Sequence, residues 1–343
     1  MNLPFISVLM TAYNYGAFIE EAIDSVLSQK YPSDRIELVV VDDGSSDDTP
    51  SRVARYASRI RYLRKQNGGQ ASALNLGFTQ CSGEIISLID ADDVFFPEKL
   101  SRIAEAFEDP DLGMFYHPFL EFDVETGVRR QSTFPLVTGS LFREPEKFLW
   151  YAGPGTCISI RRKFLDPLLP IPEEIRMLAD GYIGGLVPFI APVRATADCL
   201  AGYRLHGKNA YYATESQMPP NVREKRLRMF KIEFEAMCRW LTANGFTQSQ
   251  PPVKWFFQRG LHFMETQQFA LSPPGRLRFF RHLARYNLAY GPYMTPRLRA
   301  INWFNAFASL LTGYPNFHRL DQWRLAAVRR IKRQPTSVPA PRH

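Results

Sequence analysis

Ile85-Ile86-Ser87-Leu88-Ile89-Asp90-Ala91-Asp92-Asp93 runs from a largely apolar, strand-like stretch into three carboxylates within four positions. Packing gives a buried strand no reason to end this way. Clustered carboxylates repel one another and cost free energy unless a cation neutralises them. Oxygen-rich clusters suit hard divalent cations, Mg²⁺ or Mn²⁺, which in turn bind phosphates. The stretch therefore points to a metal-dependent site for a diphosphate-bearing substrate. Taken alone, it is also compatible with a solvated turn whose Asp residues cap a helix opening at Pro97.

Outward from this strand, the first hundred residues alternate strand and helix signals. Phe5 to Met10 is an apolar run of strand length, and Ile36 to Val41 is β-branched and strand-like. Phe18, Ala22, Ile23, Val26 and Leu27 share one helical face. Asp47-Asp48-Thr49-Pro50 starts a helix with a cap residue ahead of a first-turn proline. Ile60 to Leu63 is a short strand, Ala71 to Phe78 is helical, Pro97 opens a helix through Phe107, and Gly113 to His117 is strand-like. This alternation predicts an α/β fold with a mostly parallel sheet flanked by helices. Ligands of such sheets sit at the carboxyl ends of the strands. Thr11-Ala12-Tyr13-Asn14, Asp42-Asp43-Gly44-Ser45 and Asp90-Ala91-Asp92-Asp93 all fall there, so one shared site is expected.

Beyond residue 119 the pattern is mixed. Glu121 to Val124 and Val128 to Ser132 flank a hairpin-like turn at Glu125-Thr126-Gly127, and Pro192 to Ala197 and Leu200 to Leu205 read as short strands. After about 215 the chain becomes basic, aromatic-rich and helical, and 335–343 reads as a frayed tail. The expected organisation is an α/β domain over 1–214, with parts 1–118 and 119–214, a helical region over 215–334 and the tail.

The net charge of +8 is unevenly spread. Residues 1–214 carry 21 Lys+Arg and 28 Asp+Glu, and residues 215–343 carry 21 and 6. A basic tail implies an anionic partner such as a membrane surface, nucleic acid or an acidic polymer. Arg297 to Leu311 and Gln322 to Arg333 are candidate surface-lying amphipathic elements; simple packing on the catalytic domain explains them as well. Nucleic acid is the weakest of the three partners. The four cysteines are far apart, which suggests neither a zinc motif nor a disulfide framework. The start, Met1-Asn2-Leu3-Pro4, lacks the pattern of a signal peptide, and no apolar run reaches the roughly 18–20 residues that span a bilayer. The expected setting is cytoplasmic, with peripheral contact at the inner membrane face.

No Gly-rich phosphate loop is present. A carboxylate at Asp42 or Asp43 can accept a hydrogen bond from a base edge, although that stretch alone reads better as an Asx-type turn with a helix cap. Tyr13, just past the first strand, can stack on a base or pack peripherally.

Taken together and in order, four segments resemble the family 2 glycosyltransferases, which have the GT-A fold. They are Ile6 to Asn14, Val39 to Asp47, Asn67-Gly68-Gly69-Gln70 to Asn75-Leu76-Gly77, and Gly83-Glu84 to Asp93. The resemblance covers about residues 4–207. It implies a nucleobase pocket at Thr11, Ala12, Tyr13 and Asp42 or Asp43, and a D-x-D motif at Asp90-Ala91-Asp92. In that motif Asp90 serves the nucleotide ribose and Asp92 the metal, with Asp93 and Asn75 supporting. It also implies a catalytic base at Asp180 within Met177 to Tyr182. Tyr203-Arg204-Leu205-His206-Gly207-Lys208-Asn209 resembles the family's YRxH segment, whose His206 completes a Mn²⁺ or Mg²⁺ site. Gly153-Pro154-Gly155-Thr156 resembles the acceptor-side loop.

The chain departs from the family pattern in three places. Leu74 stands where many relatives have Arg, Ala179 and Tyr182 flank Asp180 where a second acid is common, and Gly184-Gly185 replaces bulkier residues. The implied activity is inverting transfer of a sugar from a nucleotide-sugar to a saccharide or lipid-linked hydroxyl acceptor. A nucleotidyltransferase and a non-catalytic nucleotide-sugar or polysaccharide-binding module are the alternatives.

Overall fold

The computed structural model describes residues 3–124, 127–132, 136–144, 153–206, 209, 219–290, 296 and 299–314. Turn residues Glu125 and Thr126, Gly207-Lys208, the element expected over 322–333 and the tail 335–343 lie outside the described residues.

The chain opens with β1 (Ile6–Ala12), α1 (Ile19–Leu27), β2 (Ile36–Asp42), α2 (Thr49–Val53), β3 (Arg61–Arg64), α3 (Gln70–Gln80) and β4 (Ile85–Asp90). Next come β5 (Val94–Phe95), α4 (Lys99–Ala106), β6 (Met114–Tyr116), β7 (Phe119–Asp123), β8 (Arg129–Gln131), β9 (Ile158–Arg161) and α5 (Arg162–Leu165). Then follow α6 (Ala179–Ile190), β10 (Val193–Ala195), β11 (Ala201–Leu205), α7 (Pro220–Ala243), α8 (Pro251–Leu271) and α9 (Arg276–Tyr290). A further helical stretch occupies 299–314.

Seven strands form the main sheet in the order β10-β6-β9-β4-β1-β2-β3. The pairings from β4 through β1 and β2 to β3 are parallel, as the β-branched runs predict. β9 is the exception and runs antiparallel between β4 and β6. A second sheet, β5-β11-β7-β8, carries the expected hairpin.

The inner strands β1, β2 and β4 are covered on both faces, so they read as largely continuous apolar runs rather than alternating ones. α1 buries Ile19, Ala22, Ile23 and Val26, the i, i+3, i+4, i+7 stripe of an amphipathic helix. That stripe joins Val8, Met10, Val40, Leu100 and Ile103 in one core. Full burial of each such Val, Ile or Leu contributes about 1.5–3 kcal/mol.

The chain divides into two compact units, 1–211 with 228–254, and 212–227 with 255–343. Within the first, α7 packs on α6: Phe234, Met237 and Leu241 are buried. A Cβ at Gly181 would fall 2.2 Å from Glu233 Oε1 and one at Gly185 2.7 Å from Met237 Sδ. The glycines, spaced i and i+4 on α6, are what lets α7 approach. This explains a glycine at 185 where a bulkier residue was expected.

The second unit has a small aromatic core of Phe269, Phe279 and Tyr314. Beside it His262 and His282 stack with centroids 4.0 Å apart, and His282 Nδ1 lies 2.9 Å from Glu265 Oε2. Among the described residues no helix is long and apolar enough to cross a membrane.

Candidate active site

Strand register brings the expected segments to one edge. Ala12 pairs with Asp42 across β1 and β2, and Thr11 pairs with Asp90 across β1 and β4. Ala12 is buried and Thr11 half-buried at this carboxyl edge, while Tyr13 lies just beyond it, 47% exposed.

Asp42 and Asp43 are both buried and held by the protein itself. Asp42 accepts from the Ser45 amide at 2.7 Å and the Tyr62 hydroxyl at 2.8 Å. Asp43 accepts from the amides of Gly68 and Gly69 at 2.9 and 2.7 Å and from Lys65 at 3.0 Å. These bonds order the loops over 43–46 and 67–69. A base edge at either carboxylate shares it with these donors; a carboxylate has about four acceptor sites. Asn75 lies away from this edge and clamps the main chain of Ile171, donating to its carbonyl and accepting from its amide at 2.8 Å each.

The turn after β4 is pinned from two sides. Asp93 is fully buried; it accepts from the Thr156 hydroxyl at 2.6 Å and from the Arg204 amide at 3.1 Å. The Thr156 hydroxyl oxygen also accepts from the Asp90 amide at 2.9 Å. The Arg204 guanidinium donates to the Asp92 carbonyl at 2.8 Å and sits over the rings of Phe18 and Phe122. Asp92 Oδ2 lies 2.9 Å from His206 Nε2, and the His206 ring stacks on Phe18 at 4.6 Å. The roles of Thr156 and Arg204 do not show in the sequence, although both fall in segments that the resemblance marks.

Asp180 stands in the first turn of α6, directly after Leu178, which takes the left-handed conformation at φ 61°. Such a backbone is costly for leucine and places the turn that aims Asp180. A Cβ at Gly155 would fall 3.2 Å from the Asp180 Cβ and Oδ2, so the loop over 153–156 closes directly on the carboxyl. Burial pushes the Asp180 carboxyl up to about 6. The main-chain amides of Asp180, Gly155 and Gly181 and the side-chain amide of Gln70 pull the other way.

Burial first, then the negative charges of Asp180 and Asp92, push Asp90 well above the usual carboxylate range. Asp93 is raised by burial and by Asp92 and Asp90. These carboxyls thus sense one another across a single site.

The donor set suits a divalent cation. Asp92 and His206 offer an oxygen and a nitrogen side by side, and the neighbouring acids make the turn electronegative. Mg²⁺ and Mn²⁺ are commonly held by one or two such side chains, with phosphate oxygens and water completing the shell. Among the described residues no group of three or more His, Cys, Asp or Glu is placed to hold a metal ion.

Residues 7–169 match the family model described as Glycosyl transferase family 2. A protein of Nostoc sp. named as an uncharacterized glycosyltransferase is 33% identical over 62% of this chain and 68% of its own length. The chain belongs to glycosyl transferase family 2. A glycosyltransferase-named protein of Rickettsia prowazekii is 42% identical, with the match taking in 29% of this chain and 30% of that protein.

Among solved structures, Staphylococcus aureus TarS 1-349 in complex with UDP aligns with a TM-score of 0.57 at 19% identity, covering 94% of this chain and 91% of that one. The mannosyltransferase PcManGT from Pyrobaculum calidifontis, in complex with GDP-Man and Mn²⁺, aligns at 0.54 and 19% over 91% and 88%. This family 2 glycosyltransferase accordingly has the GT-A fold expected from its motifs.

Proposed function

We propose that this glycosyltransferase moves a hexosyl group from a nucleotide-sugar to a saccharide or lipid-linked hydroxyl acceptor, with inversion at the anomeric carbon. The observation that carries the reading is the contact of His206 with Asp92 beside a buried Asp180 whose charge reaches Asp90. The donor nucleotide occupies the edge formed by Thr11, Ala12, Tyr13, Asp42 and Asp43, with Asp90 on its ribose. The solved neighbours crystallised with UDP, UDP-GlcNAc and GDP-Man support a nucleotide-sugar of this kind. In this reading residues 1–118 hold the donor and 119–214 the acceptor side.

Asp92 and His206 hold Mn²⁺ or Mg²⁺, with Asp93 supporting the turn that carries Asp92, while Asn75 supports the scaffold further off through the main chain of Ile171. When bound, the cation neutralises charge developing on the leaving diphosphate. Asp180 takes the proton of the acceptor hydroxyl as general base, and a carboxyl raised to about 6 is half-ionised near that pH and ionised at neutrality. With Asp180 as base toward the acceptor hydroxyl, the transfer is a single displacement, which inverts configuration. Gly155 and Thr156 couple the two halves: the loop that touches Asp180 also bonds Asp90 and Asp93. Calorimetric titration with UDP and GDP, with and without Mn²⁺, tests the reading. Metal-dependent binding of at least one is expected; binding of neither sinks it.

Peripheral contact with an anionic membrane belongs to the same proposal. In the stretch 299–314 the outward face is apolar: Ile301, Phe304, Phe307 and Leu311 are 38%, 72%, 57% and 79% exposed, while Ala306 and Ser309 are buried. Arg276, Arg278, Arg281, Arg285 and Arg299 of the same unit are exposed. Exposed Phe and Leu beside Arg suit the headgroup–acyl boundary.

A further inference from the structure

Glu233 is a buried acid beside Asp180 that the donor chemistry does not use. It lies on α7, a helix outside the segment that matches the family, yet its side chain reaches the start of α6. A Cβ at Gly181, the residue after Asp180, would fall 2.2 Å from Glu233 Oε1 and 3.2 Å from its Cδ. The residue is 5% exposed. No described residue hydrogen-bonds its carboxyl, and burial, then the charge of Asp180, push it well above the usual carboxylate range.

Drawing a carboxyl into a helix–helix seam costs free energy, and packing does not ask for one here. The next turn of the same helix–helix contact makes the comparison. There Met237, fully buried, meets Gly185 as Glu233 meets Gly181. An apolar side chain fills the equivalent position one turn on, so the acid at 233 has a use other than packing.

We propose that Glu233 is an acceptor-binding residue, hydrogen-bonding a sugar hydroxyl adjacent to the one that Asp180 deprotonates. This rests on the glycosyl-transfer reading above. A carboxyl oxygen has lone pairs that accept a hydroxyl's hydrogen bond whether or not the group is protonated. The pair Asp180–Glu233 thus grips two neighbouring hydroxyls of one acceptor sugar. The attacking hydroxyl loses its proton to Asp180, and Glu233 takes no part in that transfer. A site built to bond a hydroxyl rejects the analogue that lacks it.

The test uses Glu233→Met and Glu233→Gln in the full chain, with three readouts. Melting temperature is expected to rise by about 2 °C or more in Glu233→Met, because an unpartnered buried acid is replaced by an apolar side chain. UDP or GDP affinity with Mn²⁺ is expected to stay within about twofold. Acceptor KM, measured on a panel of p-nitrophenyl glycosides, is expected to rise roughly tenfold or more with a smaller change in kcat. In the wild type, deoxygenation beside the attacked hydroxyl should cost as much as the mutation does, and in Glu233→Met it should cost little more.

A fall in melting temperature in both variants, or an acceptor KM within twofold of wild type, overturns the proposal. Failure of the wild type to bind either nucleotide with Mn²⁺ defeats the glycosyl-transfer reading instead, and Glu233 as an acceptor contact falls with it.

Discussion

His206 Nε2 lies 2.9 Å from Asp92 Oδ2, although 114 residues separate them in the chain. Arg204, two residues before the histidine, holds the Asp92 carbonyl and places β11 against the acidic turn. The contact therefore rests on the folded sheet. Replacing His206 by Ala is expected to weaken Mn²⁺-dependent nucleotide binding roughly 10–100-fold without lowering the melting temperature by more than a few degrees. Calorimetry with UDP or GDP reads it; unchanged affinity removes His206 from the metal site.

Asp180→Asn keeps the shape of the side chain and removes its basicity. Nucleotide affinity is expected to hold within about twofold while kcat drops on the order of 10²–10⁴-fold. In the wild type the acidic limb of kcat/KM should lie near pH 6, because the carboxyl is raised to about 6 and gains its proton below that. A pH–rate profile flat from 5 to 7 would contradict the base role.

The parallel half of the fold was legible because β-branched runs such as Ile36 to Val41 have no competing reading. β9 escaped because Ile158 to Arg161 is four residues long and its antiparallel slot is made by partners far away in the chain. β5 has two residues, too few for any period. The acids of Asp90 to Asp93 stood out as a charge anomaly that packing leaves unexplained. Thr156 and Arg204 gave no comparable signal, since a hydroxyl and a guanidinium are ordinary until their partners at 90–93 are placed. Glu233 is one acid in a basic helix, and only the bare faces of Gly181 and Gly185 show what it approaches.

The second unit should lose stability in mild acid. Burial holds His262 down to about 3, so its imidazole stays neutral in the fold, and lowers His282 from its usual value against the pull of Glu265. The unfolded chain takes up protons near pH 6.5 while the folded one does not. Stability is thus fully present above about 6.5 and declines as pH falls, by at most about 1.4 kcal/mol per pH unit for each imidazole. Denaturant titrations at pH 7.5 and 5.5 measure it, and His262→Phe should flatten the slope. Equal stability at both values in the wild type would refute the assignment.

Membrane contact has its own measurement. Co-sedimentation with anionic vesicles of phosphatidylglycerol and phosphatidylcholine is expected at low salt. It should weaken as salt rises and be reduced severalfold by Phe304→Asp with Phe307→Asp. Binding that ignores both salt and these substitutions would place any lipid contact elsewhere.

The most direct test of the central claim is release of nucleoside diphosphate from a panel of UDP- and GDP-sugars with Mn²⁺ and mixed saccharide acceptors, comparing wild type with Asp92→Ala. The account predicts release from at least one donor by the wild type, abolished by EDTA, and at least about a thousandfold slower in Asp92→Ala. Equal release by the variant, or by the wild type in EDTA, would contradict it.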